Sequence, residues 1–276
     1  MLFRSWVQPL VDHPFTKLEG SQFSNATHLG TEYAALLVDP GYRSADTVKE
    51  LPAPGGGVAA VATVKGSNSS PSKSLSFAGY EWRVRDAPSN RGGTNFYDPG
   101  NAWTDAGGAL HLRIAKMSGQ WTCAEVSLTR SLGYGSYSFV VRDTSHLDPA
   151  AAFGMFTFDY AGADENYHEV GIETSRWGDP ASKNAQYVIQ PYYVPTNVVR
   201  FEAPPGPLTH SFRWEPGRVS FKTTRGSKVI SERVFTSGVP SHGIESARMN
   251  LYVFRKAKVA LENGAEVVID KFEYLP

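Results

Sequence analysis

Two glutamates four residues apart, Glu169 and Glu173, stand in the segment Asn166-Tyr-His-Glu-Val-Gly-Ile-Glu-Thr-Ser-Arg-Trp177. Two carboxyl groups flanking one bond are the usual equipment for glycoside cleavage, one as acid and base, the other as nucleophile or as base for a water. At period two, Tyr167, Glu169, Gly171 and Glu173 share one side of an extended strand, and Val170 and Ile172 share the other. The apolar side belongs in a core, so both glutamates are expected to face outward on one surface. Their Cα atoms would lie about 13 Å apart along the strand. Side chains leaning together on a concave sheet could close the carboxyl gap to the roughly 5–5.5 Å of a retaining enzyme, whereas about 6.5–9.5 Å would suit inversion. Alone, a Glu-x-x-x-Glu spacing arises on any polar strand face, so the surroundings decide its meaning.

A sugar site also needs aromatic rings for the C–H faces of the sugar and amides for its hydroxyls. Trp177, of the same parity as Glu173, is the first subsite candidate, with Tyr167 behind it and Trp121, Trp103 and Tyr192 as lesser ones. For each ring the alternative is core packing, which is preferred for Trp103 and for Trp214. Asn184, Gln186 and Gln190 alternate onto one face, where their amides would bind sugar hydroxyls or hold a carboxylate; a solvated edge is the alternative. Arg176 has the opposite parity to the glutamates, His168 reads as a structural residue, and Glu125 reads as a solvent-facing strand residue more readily than as a third acid. Asp159, Asp164, Glu165 and Asn166 form an oxygen-rich loop without the spacing of a calcium loop, so no metal site is assigned.

The elements that must position these residues are short. Leu110–Ile114, Cys123–Leu128, Gly135–Val141, Gly154–Phe158, Tyr187–Ile189, His210–Trp214, Val219–Phe221, Met249–Phe254 and Glu266–Ile269 read as strands separated by turn residues. Many short strands with almost no helical periodicity predict an all-β sandwich or barrel over residues 77–276. Residues 51–76 are rich in Pro, Gly and Ser and read as a linker. Residues 1–50 read as an N-terminal extension, with a short helix around Thr31 to Leu37. Lys plus Arg and Asp plus Glu both number 27, which argues against nucleic acid as a partner. No apolar run approaches membrane-helix length, so no membrane partner is expected. The single cysteine, Cys123, excludes an intrachain disulfide and reads as a small buried strand residue. No signal-peptide pattern is visible after Met1, and a monomer is expected.

Glu169-Val-Gly171-Ile-Glu173 resembles the Glu-x-Asp-x-Glu signature of glycoside hydrolase family 16, the laminarinase and lichenase group, with glycine where the central aspartate is expected. In the same order, Leu132–Phe139 resembles the family's early Tyr-Gly strand, His210–Phe221 its His-to-Trp hairpin, Arg248–Phe254 its Asn-Leu strand and Val267–Tyr274 its closing strand. The resemblance implies a concanavalin A-like jelly roll of two antiparallel sheets with a concave cleft, and retaining endo-hydrolysis of a β-glucan or related polysaccharide. It further implies Glu169 as nucleophile, Glu173 as general acid and base, no cofactor beyond a structural calcium that no residues here identify, and an extracellular or periplasmic location. The central role falls on Gly171, which has no side chain. That substitution supports a different reading, a lectin-like module that binds glycans without cutting them. An aspartate restored at 171 is expected to be tolerated as an outward residue on a solvated face.

Overall fold

The computed structural model describes residues 73–87, 95–254 and 260–276. The expected extension, its short helix and most of the expected linker lie outside the described residues. Among the described residues there are sixteen strands, in order β1 (Ser74–Phe77), β2 (Tyr80–Val84), β3 (Phe96–Tyr97), β4 (Ala102–Thr104), β5 (Leu110–Met117), β6 (Gln120–Leu128), β7 (Gly135–Val141), β8 (Ala151–Phe158), β9 (Val170–Ser175), β10 (Ala185–Ile189), β11 (Val198–Phe201), β12 (Leu208–Glu215), β13 (Arg218–Arg225), β14 (Lys228–Phe235), β15 (Ser246–Val253) and β16 (Ala265–Leu275). β1 thus begins inside the stretch read as linker.

The strands form two packed sheets of a jelly roll. The front sheet runs β11-β10-β9-β8-β15-β6, with β2 and β1 beyond β6, and the back sheet runs β5-β16-β7-β12-β13-β14, with β4 beside β5. Pairing of Ala115–Met117 with Gln120–Thr122 joins β5 to β6, so the hydrogen-bonded path is continuous from one sheet to the other. Except for the short β3–β6 pair, the pairings are antiparallel.

Alternation builds the interior. In β7, Tyr137, Phe139 and Val141 are buried while Ser136 and Ser138 are less so, and in β12 Leu208, His210, Phe212 and Trp214 point inward. Aromatic pairs then fill the space between sheets: Trp82 meets Phe272 edge-on at 5.2 Å, Tyr137 stacks on Phe212 at 4.7 Å and Tyr187 on Phe221 at 5.1 Å. β8 is buried on both sides. Its Phe153 and Met155 join this core, whereas Phe156 and Phe158 form a second cluster with Tyr160, Tyr167 and Tyr192 on the opposite face of the front sheet.

One expectation of local structure is corrected. Strand β9 starts at Val170, and Ala163–His168 form a 3₁₀ segment in which Asn166, Tyr167 and His168 have positive φ of 53°, 61° and 51°. Three consecutive side-chain-bearing residues in the left-handed region are strained. Tertiary contacts hold them: Asp159 N donates to Tyr167 O at 2.8 Å, Tyr167 stacks on Phe158 at 5.1 Å, and His168 Nδ1 lies 2.6 Å from Ser241 O. Tyr167 is therefore a loop residue, not the first residue of the strand face.

Candidate functional site

The register of the front sheet places the site. Gly171 pairs with Phe156 on β8 and Val188 on β10, and Glu173 pairs with Gly154 and Gln186. Val170 and Ile172 enter the core as expected, leaving Glu169, Gly171 and Glu173 on the face turned away from it. That face does not present the pair to solvent. Glu169 and Glu173 are each only 1% exposed, so the expected outward carboxylates are buried ones. A cavity of about 650 Å³ lies elsewhere, on the outer face of the back sheet beside Ser211, Arg213 and Lys222.

Each glutamate is held by a glutamine, Gln186 within β10 and Gln190 just after its end. Gln186 Nε2 donates to Glu173 Oε2 at 2.6 Å, and Gln190 Nε2 donates to Glu169 Oε1 at 3.2 Å. Tyr252 of β15 donates its hydroxyl to Glu173 Oε1 at 3.2 Å. Burial pushes the Glu173 carboxyl up to about 7, against the pull of Gln186, Tyr252, the Arg200 charge and the Trp177 indole. Burial also raises Glu169 well above the usual carboxylate range. Gln190 opposes this, the Glu173 charge adds to it, and the Arg248 charge opposes it. Glu169 Oε2 has no hydrogen-bond partner among the described residues. Both shifts favour the protonated forms, and the Glu173 charge adds to the rise at Glu169.

Gly171 has a steric reason as well as a missing carboxylate. A Cβ built there would lie 2.9 Å from Phe156 Cβ, so β8 and β9 approach more closely than two side-chain-bearing residues allow. The expectation that an aspartate would be accepted at 171 as an outward surface residue is corrected on this ground.

The other candidates divide. Trp177 follows the end of β9 at a left-handed φ of 47°, and one face of its ring carries the Arg200 guanidinium 4.1 Å from the centroid. Tyr192 and Tyr167 lie with the Phe156 and Phe158 cluster. Asn184 spends its amide on the backbone of Ala203, donating at 2.9 Å and accepting at 2.6 Å. Trp121 sits at the far end of β6, packed on the core with Lys116 Nζ 5.5 Å from its ring. Trp103 stacks on His111 in the back sheet. Glu125 is buried, not solvent-facing: it accepts from Arg85 at 3.0 Å and from Arg248 at 2.9 Å. Reading by residue type missed Tyr252, although Asn250 and Tyr252 alternate with Met249 and Leu251 and signalled a polar face. Arg200 was missed because β11 was not read as a strand. Among the described residues no group of three or more His, Cys, Asp or Glu is placed to hold a metal ion.

No family model and no curated protein matches the sequence. Solved structures do match the fold. A β-glucanase of Bacillus licheniformis superposes with a TM-score of 0.55 at 15% identity, covering 71% of this chain and 92% of its own. A family 16 glycosyl hydrolase of Mycobacterium smegmatis gives 0.51 at 13%, covering 68% and 89%. The fold is that of the family 16 glycoside hydrolases. A pseudo β-1,3-glucanase of Mycobacterium tuberculosis shares it, with a TM-score of 0.50 at 14% identity over 68% of this chain and 88% of its own. The family 16 fold therefore accompanies both a glucanase and a protein described as a pseudo-enzyme.

Proposed function

We propose that this chain is a retaining endo-β-glycosidase acting on a β-glucan or related polysaccharide, with Glu173 as general acid and base and Glu169 as nucleophile. The observation that carries this reading is the pair of Gln-to-Glu hydrogen bonds, from Gln186 of β10 and from Gln190 just after it, to two glutamates on the same side of the front sheet. Below about pH 7 Glu173 holds a proton that it can donate to the glycosidic oxygen as the C1–O bond breaks. Glu169, as carboxylate, would form the C1 ester. A water deprotonated by Glu173 would then break that ester and restore both groups. Because each glutamate is only 1% exposed, substrate entry requires side chains on that face to move.

The assay is release of reducing ends from laminarin, lichenan and agarose by the wild type and by Glu169→Gln and Glu173→Gln. Activity that falls on the alkaline side with a midpoint near 7, and drops at least about a hundredfold in either variant, is the expected result. No reducing ends from any of these substrates, where a control hydrolase works, would sink the catalytic reading.

A second reading, a glycan-binding module without hydrolysis, is favoured by one specific observation: Phe156 closes the position that a central acid would need at 171. Saturable binding of the same glucans without turnover would select it.

A further inference from the structure

We infer that Arg200 is a positioning residue for Glu173: from the edge strand β11 it fixes which end of the Gln186 amide faces the carboxyl, and it braces the Trp177 indole beside it. The inference rests on the reading of Glu173 as acid and base, and it adds a residue that acts on that group only through others.

Sheet register sets the parts in one row. Glu173 of β9 pairs with Gln186 of β10, and Gln186 pairs with Arg200 of β11, the last strand on this side of the front sheet. Arg200 thus stands two strand spacings from Glu173, about 10 Å, with the Gln186 amide between them. Arg200 Nε donates to Gln186 Oε1 at 3.2 Å, and Gln186 Nε2 donates to Glu173 Oε2 at 2.6 Å. A guanidinium has only donors, so the amide must turn its oxygen to Arg200 and its NH2 group to the carboxyl. Free of that constraint, an amide can face a carboxyl either way, with NH2 toward a carboxylate or oxygen toward a carboxylic acid. The two orientations favour opposite protonation states. Arg200 selects the one that suits the carboxylate, the form Glu173 needs when it takes a proton from water.

Trp177 gives the same residue a second hold. Its backbone lies in the left-handed region at a φ of 47°, and its N–H donates to Ser175 Oγ at 2.9 Å. The Arg200 guanidinium lies 4.1 Å from the ring centroid, within cation–π range. The Trp177 side chain, like Gln186, hydrogen-bonds the Glu173 carboxyl and favours its charged form. One guanidinium therefore steadies two of the side chains that serve Glu173, while Tyr252 of β15 serves it from the opposite flank.

Other charged groups on this side of the sheet are engaged differently. Glu169 has its own glutamine, Gln190, and β8 offers Glu173 only Gly154. Beyond Gly154 the row continues through Asn250 to Glu125, which holds Arg85 and Arg248. Arg176, next to Trp177, is paired with Glu202.

The test follows the carbon-13 signal of the Glu173 carboxyl in the full chain as pH is raised, assigned by its loss in Glu173→Gln. Reducing-end release from laminarin and lichenan is measured over the same pH range. Arg200→Met keeps an apolar stem over Trp177 but donates no hydrogen bond. Its Glu173 midpoint should rise by at least about half a pH unit, because donors that favour the carboxylate are lost or freed to turn. The shift should persist in about 1 M salt, which screens a remote charge but not a fixed hydrogen bond. The alkaline limb of hydrolysis should move up with it. Arg200→Lys should restore part of the wild-type midpoint, and Arg213→Met, which removes an exposed strand arginine from the back sheet, should leave it in place. Should Arg200→Met not fold, Arg200→Gln carries the test, with a smaller shift in the same direction. An unmoved midpoint, a shift that vanishes in salt, or an equal shift in Arg213→Met overturns the inference. If the midpoint moves and no glucan is cut, Arg200 positions Glu173 and the glycosidase reading falls; if glucans are cut and the midpoint stays, that reading stands and the role of Arg200 falls.

Discussion

The two faces of the front sheet are both buried, and they are built on opposite rules. On the inner face Val170, Ile172, Phe153, Met155 and Tyr187 meet the aromatic side chains of the back sheet. On the other face, Glu169, Glu173, Gln186, Glu125 and Asn250 are 1% exposed or less, together with Phe156 and Phe158. Burial of apolar surface stabilises the first face in proportion to area. On the second, the same burial penalises every charge that lacks a partner, and hydrogen bonds return only part of the cost. The inner face holds the fold together, whereas the other holds ionisable groups away from their ordinary acidities.

The sharpest way to test this contrast is to truncate each side. Phe212→Ala should cost about 3–5 kcal/mol, because the buried ring, stacked on Tyr137 and tilted against Phe139 and Phe221, leaves a cavity that the two sheets cannot collapse. Urea melts measure it. A cost under about 1 kcal/mol would show that the inter-sheet packing is not what carries stability.

On the opposite face the same kind of change should do the reverse. A buried acid whose pKa is raised from the usual carboxylate range to about 7 binds its proton more tightly folded than unfolded. Stability therefore falls as pH rises from about 4.5 to 7, by an amount on the order of 3 kcal/mol, and stays low above that window. Glu173→Gln removes this titration while keeping a group that can face Gln186 and Tyr252. Melts across pH 4 to 8 should show the variant gaining on the wild type as pH rises through that window, with the difference levelling off above it. Identical pH profiles would mean that Glu173 ionises freely in the folded chain.

Gly171 ties the two faces together, because it sets how closely β8 and β9 approach. Gly171→Asp should lose about 1–3 kcal/mol from overpacking alone, and with Phe156→Gly, which removes the atom 2.9 Å away, the double variant should lose less than the sum of the two single losses. Additive losses in the double variant would show that the two positions do not compete for space.

This contrast also accounts for what the sequence revealed. Inner-face residues follow period two, so β5, β7, β12, β13 and β16 were legible from alternation. β14, with Phe235 its one buried residue, and the short β11 carry too little apolar signal to be read. In the site, parity found Glu169, Glu173, Gln186 and Gln190, since cross-strand partners on one face share it. It failed for Tyr167 and for Trp177, whose positive φ values belong to turns fixed by distant contacts. It also failed for Glu125, whose burial depends on Arg85 and Arg248 from two other strands. Polarity along a strand shows which side a residue takes, but not whether the far side of the sheet is covered.

The smallest expected effect lies on the back sheet and gives the contrast its counterpart, a charge cluster left partly in water. His111 has Glu266 Oε1 2.8 Å from Nδ1, Asp105 Oδ2 3.1 Å from Nε2, and Trp103 stacked on its ring at 4.9 Å. Burial works against its charge, but the hydrogen bonds and charges of Glu266 and Asp105 outweigh it and the imidazole pKa is raised. A histidine raised on folding stabilises the chain fully below its unfolded pKa, and that contribution is lost as pH rises through the folded one. His111→Gln should therefore be less stable than the wild type near pH 5 and indistinguishable from it near pH 9. The difference should stay under about 1 kcal/mol, because solvent screens partly exposed ion pairs. The two glutamates across the molecule, with fewer partners and less water, should move stability further over their own window. If His111→Gln has the larger pH effect, coverage by the other face is not what sets the acidities of the pair.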